Sequence, residues 1–341
     1  MKAAVFYGKN DLRVEERPVP RLKADEVLLK VRACGVCGTD MHIFDGDEGA
    51  APTPVGTALG HEFAGEIVEV GDGVTDLFPG TRACVDPNKL CGKCDACRGG
   101  IGHFCENMIG IGTTVDGGFA EYCAVPRSQI YTFSNDVPFA KAAMTEPVAC
   151  CLHGIDMCDI SAGDTVAVIG GGMIGLIMLQ LARLKGAAKT IIIEPLAHKR
   201  EMALEFGADV ALDPLAEDFD GSMKRLCADR VSTVIECVGK PSTMEQAISI
   251  AGKKSTVMLF GLTRPNDTIS VKPFEIFKKE ITLKASYINP YMQKRALDLI
   301  CSGRINVEKM IGEKISLDGL PSLLSDKKRR SAGKTVVTFG N

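Results

Sequence analysis

The sequence predicts an α/β protein of two domains, a β-rich lobe joined to a doubly wound parallel sheet. Three observations lead there. A chain of 341 residues exceeds one ordinary core, so two domains are the natural expectation. From Asp164 onward, apolar strands alternate regularly with helical stretches. The first half instead carries short strands separated by turns rich in Gly, Pro and Asp.

The N-terminal residues MKAAVFYG read as a first strand, because charged residues follow too soon for the apolar core and cleavage site of a secretory signal. EVLLKVRA and EFAGEIVEVG supply further strands of this lobe. In the second half DTVAVIG, AKTIIIE, VALD, STVIECVG, KSTVMLFG and EITLKAS are strands of a parallel sheet, with helices between them ending near Lys185 and Gly207, around Lys224 and after Ser242. A last strand, KTVVTFG, is placed to rejoin the first lobe. The expected division is therefore residues 1–150 with 288–341 for one domain and 151–287, inserted within it, for the other.

Composition narrows the function. Apolar residues make up 45%, charged residues 24%, and the formal net charge is −3, which suggests neither a nucleic-acid nor an anionic-membrane partner. No uncharged apolar run reaches the roughly 20 residues of a membrane-spanning helix. A soluble, cytoplasmic protein with a small-molecule ligand is expected.

Fourteen cysteines without an export signal point to reduced thiols and bound metal rather than disulfides. Cys91, Cys94, Cys97 and Cys105 lie in CGKCDACRGGIGHFC, spaced two, two and seven residues apart. Four thiolates in one loop match a closed tetrahedral zinc site, and this spacing differs from iron–sulfur patterns. A closed site has no position for substrate, so this zinc holds the loop. His103 within it reads as a surface histidine, and Cys150, Cys151 and Cys158 elsewhere read as buried small hydrophobes. Upstream, CGVCGTDMHIF contains Cys37, Thr39, Asp40 and His42, and GHEFAGEIVEVG contains His61 and Glu62 about twenty residues later; neither motif alone defines a site. A Cys34–Cys37 redox pair belongs to a different strand and helix context.

In DTVAVIGGGMIG an apolar strand ends in Gly170, Gly172 and Gly175, the spacing that lets a pyrophosphate approach a helix N-terminus. Glu194, ending the next strand about 20 residues on, is placed to accept both adenosine ribose hydroxyls. Its charge favours NAD over NADP, although Lys199 and Arg200 keep a phosphate-binding alternative open.

Taken in order, CGVCGTD, GHEFAGEIVEVG, the four-cysteine loop and VIGGGMIG resemble the zinc-containing medium-chain dehydrogenase/reductase family along essentially the whole chain. VDPNKLCGKC and TEPVACCLHG are similar to polyol and sugar-alcohol dehydrogenases, and CGVCGTDMHIF to threonine 3-dehydrogenases. The resemblance implies a GroES-like catalytic domain and a Rossmann domain, two zinc ions per chain, and a homodimer or homotetramer. It implies Cys37 and His61 as ligands of a catalytic zinc, with Glu62 or Glu146 completing the set directly or through water. It makes Asp40 the partner behind His61, and Thr39 and His42 a proton relay. It puts Ile174 in the cofactor turn, Lys199 at the ribose, and Phe260, Gly261 and Leu262, with residues 285–287, beside the nicotinamide. Tyr287 then borders the substrate, and Ser286 stands where sorbitol-like enzymes carry arginine. The implied reaction is reversible oxidation of a secondary alcohol, a polyol or sugar alcohol, to a ketone. L-threonine or 2,3-butanediol oxidation is the enzymatic alternative, and a non-catalytic NAD-binding scaffold the alternative of another class.

Overall fold

The strands TVAVI and KTIII are apolar on both faces, the pattern of strands buried in a parallel sheet covered by helices. The computed structural model, which describes residues 1–47, 52–227, 231–330 and 333–340, bears this out. Six strands pair in the order Val210–Leu212, Lys189–Ile193, Thr165–Ile169, Val231–Glu236, Thr256–Leu259 and Thr282–Ala285, all parallel. The chain order reverses between Thr165–Ile169 and Val231–Glu236, so their C-terminal ends open the crevice where such sheets bind ligands. Ala167, Ile169, Ile191, Ile193, Val234 and Val257 form the centre of its core.

The other sheet has seven strands. Ile311–Ile315, Lys334–Thr338, Glu26–Gly35, Glu62–Val70, Arg82–Val85 and Ile130–Thr132 lie side by side, and Tyr122–Pro126 pairs with the first half of Glu26–Gly35. Glu26–Gly35 is the axis of this sheet because its ten residues bond three partners. Its core includes Leu29, Val31, Phe63, Ile67 and Phe119, together with Leu320, Leu323 and Val337 from the C-terminal stretch. Truncating a fully buried leucine such as Leu323 would cost about 2–5 kcal/mol.

Two compact units result, Met1–Ala149 with Asn289–Asn341 and Cys150–Ile288. Among the described residues no helix is long and apolar enough to cross a membrane. Cys151 and Cys158 are buried as expected, whereas Cys150 is only half-buried.

Candidate active site and cofactor cradle

The first donor cluster is a product of strand register. Gly35 pairs with Glu62 on one side and with Val336 on the other. Continuing both registers two residues beyond Gly35 sets Cys37 opposite Gly60, the neighbour of His61, on one side and opposite Lys334 on the other. There the chain turns into the helix Gly38–Asp45, with Cys37 as its N-cap. Asp40 closes a reciprocal cap: its Oδ2 accepts the Cys37 N–H at 2.8 Å, while the Cys37 sulfur accepts the Asp40 N–H.

The donor atoms of Cys37, His61 and Glu62 all lie within 4.8 Å of one another. His61 Nδ1 is 3.5 Å from Asp40 Oδ1, so the carboxylate stands behind the ring. Burial alone pulls the His61 pKa down, but Asp40 and Cys37 outweigh it and hold the imidazole well above the usual histidine range. The pocket is thus electrostatically built for a cation. Sulfur, nitrogen and oxygen donors at this separation suit zinc, and Glu62 Oε1, buried without a hydrogen-bond partner, has an acceptor position to give it. Cys34 differs from Cys37: burial first, then Asp40 and Glu62, push its thiol well up, so it packs as a neutral side chain.

Thr39 Oγ1 lies 3.7 Å from Cys37 Sγ, and His42 Nδ1 lies 3.3 Å from Asp47 Oδ2. The helix ends at left-handed Gly46, which folds Asp47 back over His42. Glu146 is buried in the first turn of the helix Thr145–Asp156, just before Pro147, and is not among the three clustered donors. Lys334, whose ammonium reaches Glu62, was not singled out from the sequence. Its only local signal is a lysine opening the strand Lys334–Thr338, around Val336 and Val337.

The second cluster is local. Cys91, Cys94, Cys97 and Cys105 also bring their sulfurs within 4.8 Å of one another. The turns that do so are a short helix, Asp95–Arg98, and a 3₁₀ turn, Gly102–Phe104. Backbone N–H groups of Lys93 and Cys94 draw the Cys91 thiol down to about 6, whereas burial and the neighbouring sulfurs push that of Cys97 up to about 12. Ile101 and Phe104 are exposed and contribute no core, so this loop depends on something other than apolar packing. His103 lies at the surface only in part. It is half-buried, its ring tilted 43° to that of Phe104 with centroids 4.2 Å apart.

In the second unit Gly170 has φ +102°, a conformation natural only to glycine. A Cβ on Gly175 would stand 1.8 Å from the Gly170 carbonyl, so the helix Met173–Leu184 can approach the strand only with glycine there. A Cβ on Gly172 would meet nothing within 4 Å, which leaves open space over the turn for a pyrophosphate. Ile174 is half-buried in the first turn of that helix. Glu194 is buried, and its two oxygens accept the N–H groups of Gly171 at 2.8 Å and Leu196 at 2.9 Å. Arg200 is committed elsewhere, donating to the Glu194 and Pro195 carbonyls and pairing with Asp213. Lys199 is half-buried on the same helix, Ala197–Glu205.

Phe260 and Gly261 follow the strand Thr256–Leu259, and both donate their N–H groups to the Glu236 carbonyl. Leu262 is 63% exposed beside them. Glu236 escaped the sequence reading. Fully buried, it accepts N–H groups of Val238 and Gly239 and the Thr243 hydroxyl, which shapes the neighbouring strand end. Tyr287 is half-buried, with its phenol pKa raised by burial.

Residues 23–135 match the model of the alcohol dehydrogenase GroES-like domain, and residues 173–302 that of the zinc-binding dehydrogenases. The chain is 34% identical to L-threonine 3-dehydrogenase of Caldanaerobacter subterraneus over 80% of its length and 79% of the relative's. It is 30% identical to D-arabinitol dehydrogenase 1 of Uromyces fabae over 98% and 96%. A zinc-binding dehydrogenase of Sinorhizobium meliloti 1021, solved bound to NADP, superposes with a TM-score of 0.94 at 39% identity, covering 99% of each chain. With both donor clusters and the glycine turn in place, these matches make the chain a member of the zinc-containing medium-chain dehydrogenase/reductase family.

Proposed function

We propose that this dehydrogenase oxidises a secondary hydroxyl of a polyol or sugar alcohol to a ketone, reversibly, with NAD as hydride acceptor. The observation that carries the reading is the Cys37–His61–Glu62 cluster, a three-donor set of the kind that leaves a catalytic metal one open position. Zinc held there would supply a Lewis acid that lowers the pKa of the substrate hydroxyl. Asp40 fixes the His61 ring. Thr39 takes up the hydroxyl proton and His42, steadied by Asp47, passes it to solvent. Glu146, outside the clustered donors, acts through a bound water. Cys91, Cys94, Cys97 and Cys105 hold a second, structural zinc. Tyr287 borders the substrate, and Phe260, Gly261 and Leu262 border the nicotinamide.

A polyol is favoured by VDPNKLCGKC and TEPVACCLHG, the segments that are similar to polyol and sugar-alcohol dehydrogenases. Initial rates on sugar alcohols, their phosphates, 2,3-butanediol and L-threonine test this. The highest kcat/KM on a polyol is expected, and a highest value on L-threonine would overturn it. The preference for NAD rests on Glu194, whose carboxylate keeps acceptor capacity for ribose hydroxyls, and on Arg200, already paired with Asp213. A kcat/KM higher with NADP than with NAD would reverse that assignment.

We also propose a homodimer or homotetramer working in the cytoplasm. Thr282–Ala285 is the edge strand of its sheet, with Leu283 41% exposed, and Phe274 and Phe277 on the preceding helix are 67% and 76% exposed. Light scattering should give a multiple of 36.4 kDa.

A further inference from the structure

A catalytic zinc site must solve a problem of denticity. A carboxylate can bind through one oxygen or two, and a second oxygen on the metal would fill the position that substrate needs. Glu62 is placed for either mode, since it is fully buried and clustered with Cys37 and His61. Its two oxygens differ sharply. Oε1 has no hydrogen-bond partner, whereas Oε2 accepts the ammonium of Lys334.

Lys334 is itself held. Its side chain is 3% exposed and a second N–H donates to the Val36 carbonyl at 2.9 Å, an anchor on the turn that carries Cys37. The pair is also walled in. A Cβ on Gly35 would stand 2.1 Å from Glu62 Oε2, 2.7 Å from Met144 Cε and 2.9 Å from Lys334 Cε, so the ion pair fills the space that glycine leaves. A buried ammonium persists only with such partners, and breaking the pair would strand a buried charge.

We infer that Lys334 is a positioning residue that keeps Glu62 monodentate, engaging Oε2 so that only Oε1 is offered to the metal and the substrate position stays open. This rests on the zinc reading above. The test is cobalt substitution at the Cys37 site of the full chain, read by visible absorption with and without azide, for wild type, Lys334→Met and Lys334→Met/Glu62→Gln. Wild type is expected to show the intense bands of four-coordinate cobalt and to shift on adding azide. Lys334→Met should retain its metal, show the weaker bands of five-coordination, lose the azide response and lose about 10–100-fold in kcat. The double variant, whose amide cannot chelate, should regain the azide response. A wild-type-like spectrum in Lys334→Met would overturn the inference. Should that variant fail to fold, X-ray absorption of the wild-type zinc enzyme decides, because a five-coordinate site with a bidentate carboxylate is incompatible with the role assigned to Lys334. A wild-type chain binding only one metal would instead overturn the zinc reading itself.

Discussion

The two metal-donor clusters are similar in size and opposite in construction. Cys91, Cys94, Cys97 and Cys105 meet because one loop turns back on itself, with short turns doing the folding. Cys37, His61 and Glu62 meet because the ends of separate strands are held in register, and Lys334 joins them from near the far end of the chain. On the proposed reading the loop uses its donors for order, whereas the pocket draws its order from the sheet and keeps its donors for chemistry.

The largest effect that could break this contrast comes from removing one sulfur from each cluster. Cys37→Ser should lower kcat/KM by about a thousandfold or more while leaving the melting temperature within a few degrees, since the sheet holds the pocket. Cys94→Ser should do the reverse in kind, costing several kcal/mol of stability and loosening the loop as seen by proteolysis, because metal binding there is folding free energy. A Cys94→Ser chain as stable as wild type would dissolve the distinction.

Next in size is Asp40→Asn, which should weaken zinc at the Cys37 pocket about 10–100-fold and leave the loop zinc untouched, as read by chelator competition with two separable phases. A single phase for both metals would show that the clusters are not independent.

An effect of comparable size, on stability alone, concerns Asp86, near the foot of the loop. Burial raises its pKa to about 6, against the pull of the Asn88 N–H and of Asn289. A folded pKa above the unfolded value means that the contribution to stability is fully present below about pH 4 and is lost as pH rises through about 6. Asp86→Asn should therefore stabilise the protein by about 2–3 kcal/mol at pH 8 and not at pH 4, measured by denaturant melts. Equal gains at both pH values would show that the carboxylate is not the cause.

The strands TVAVI and KTIII, the glycine turn and the cysteine loop were legible because each is written in neighbouring residues: apolar runs, a steric need for glycine, thiols at metal spacing. Cys37 and His61 were reached through motif resemblance. Lys334 and Glu236 were not reached at all, because nothing beside them in the chain distinguishes a buried, paired charge from a solvated one.

What the sequence determined by itself was local: which segments must be strands, where glycine must stand, and which sulfurs lie close enough along the chain to share a metal. Only the tertiary structure brings the Glu62 carboxylate into one donor group with Cys37 and His61, and sets a lysine on one of its oxygens. The physical reason is that side-chain period along a strand says nothing of its neighbour, whereas register sets which residues face one another.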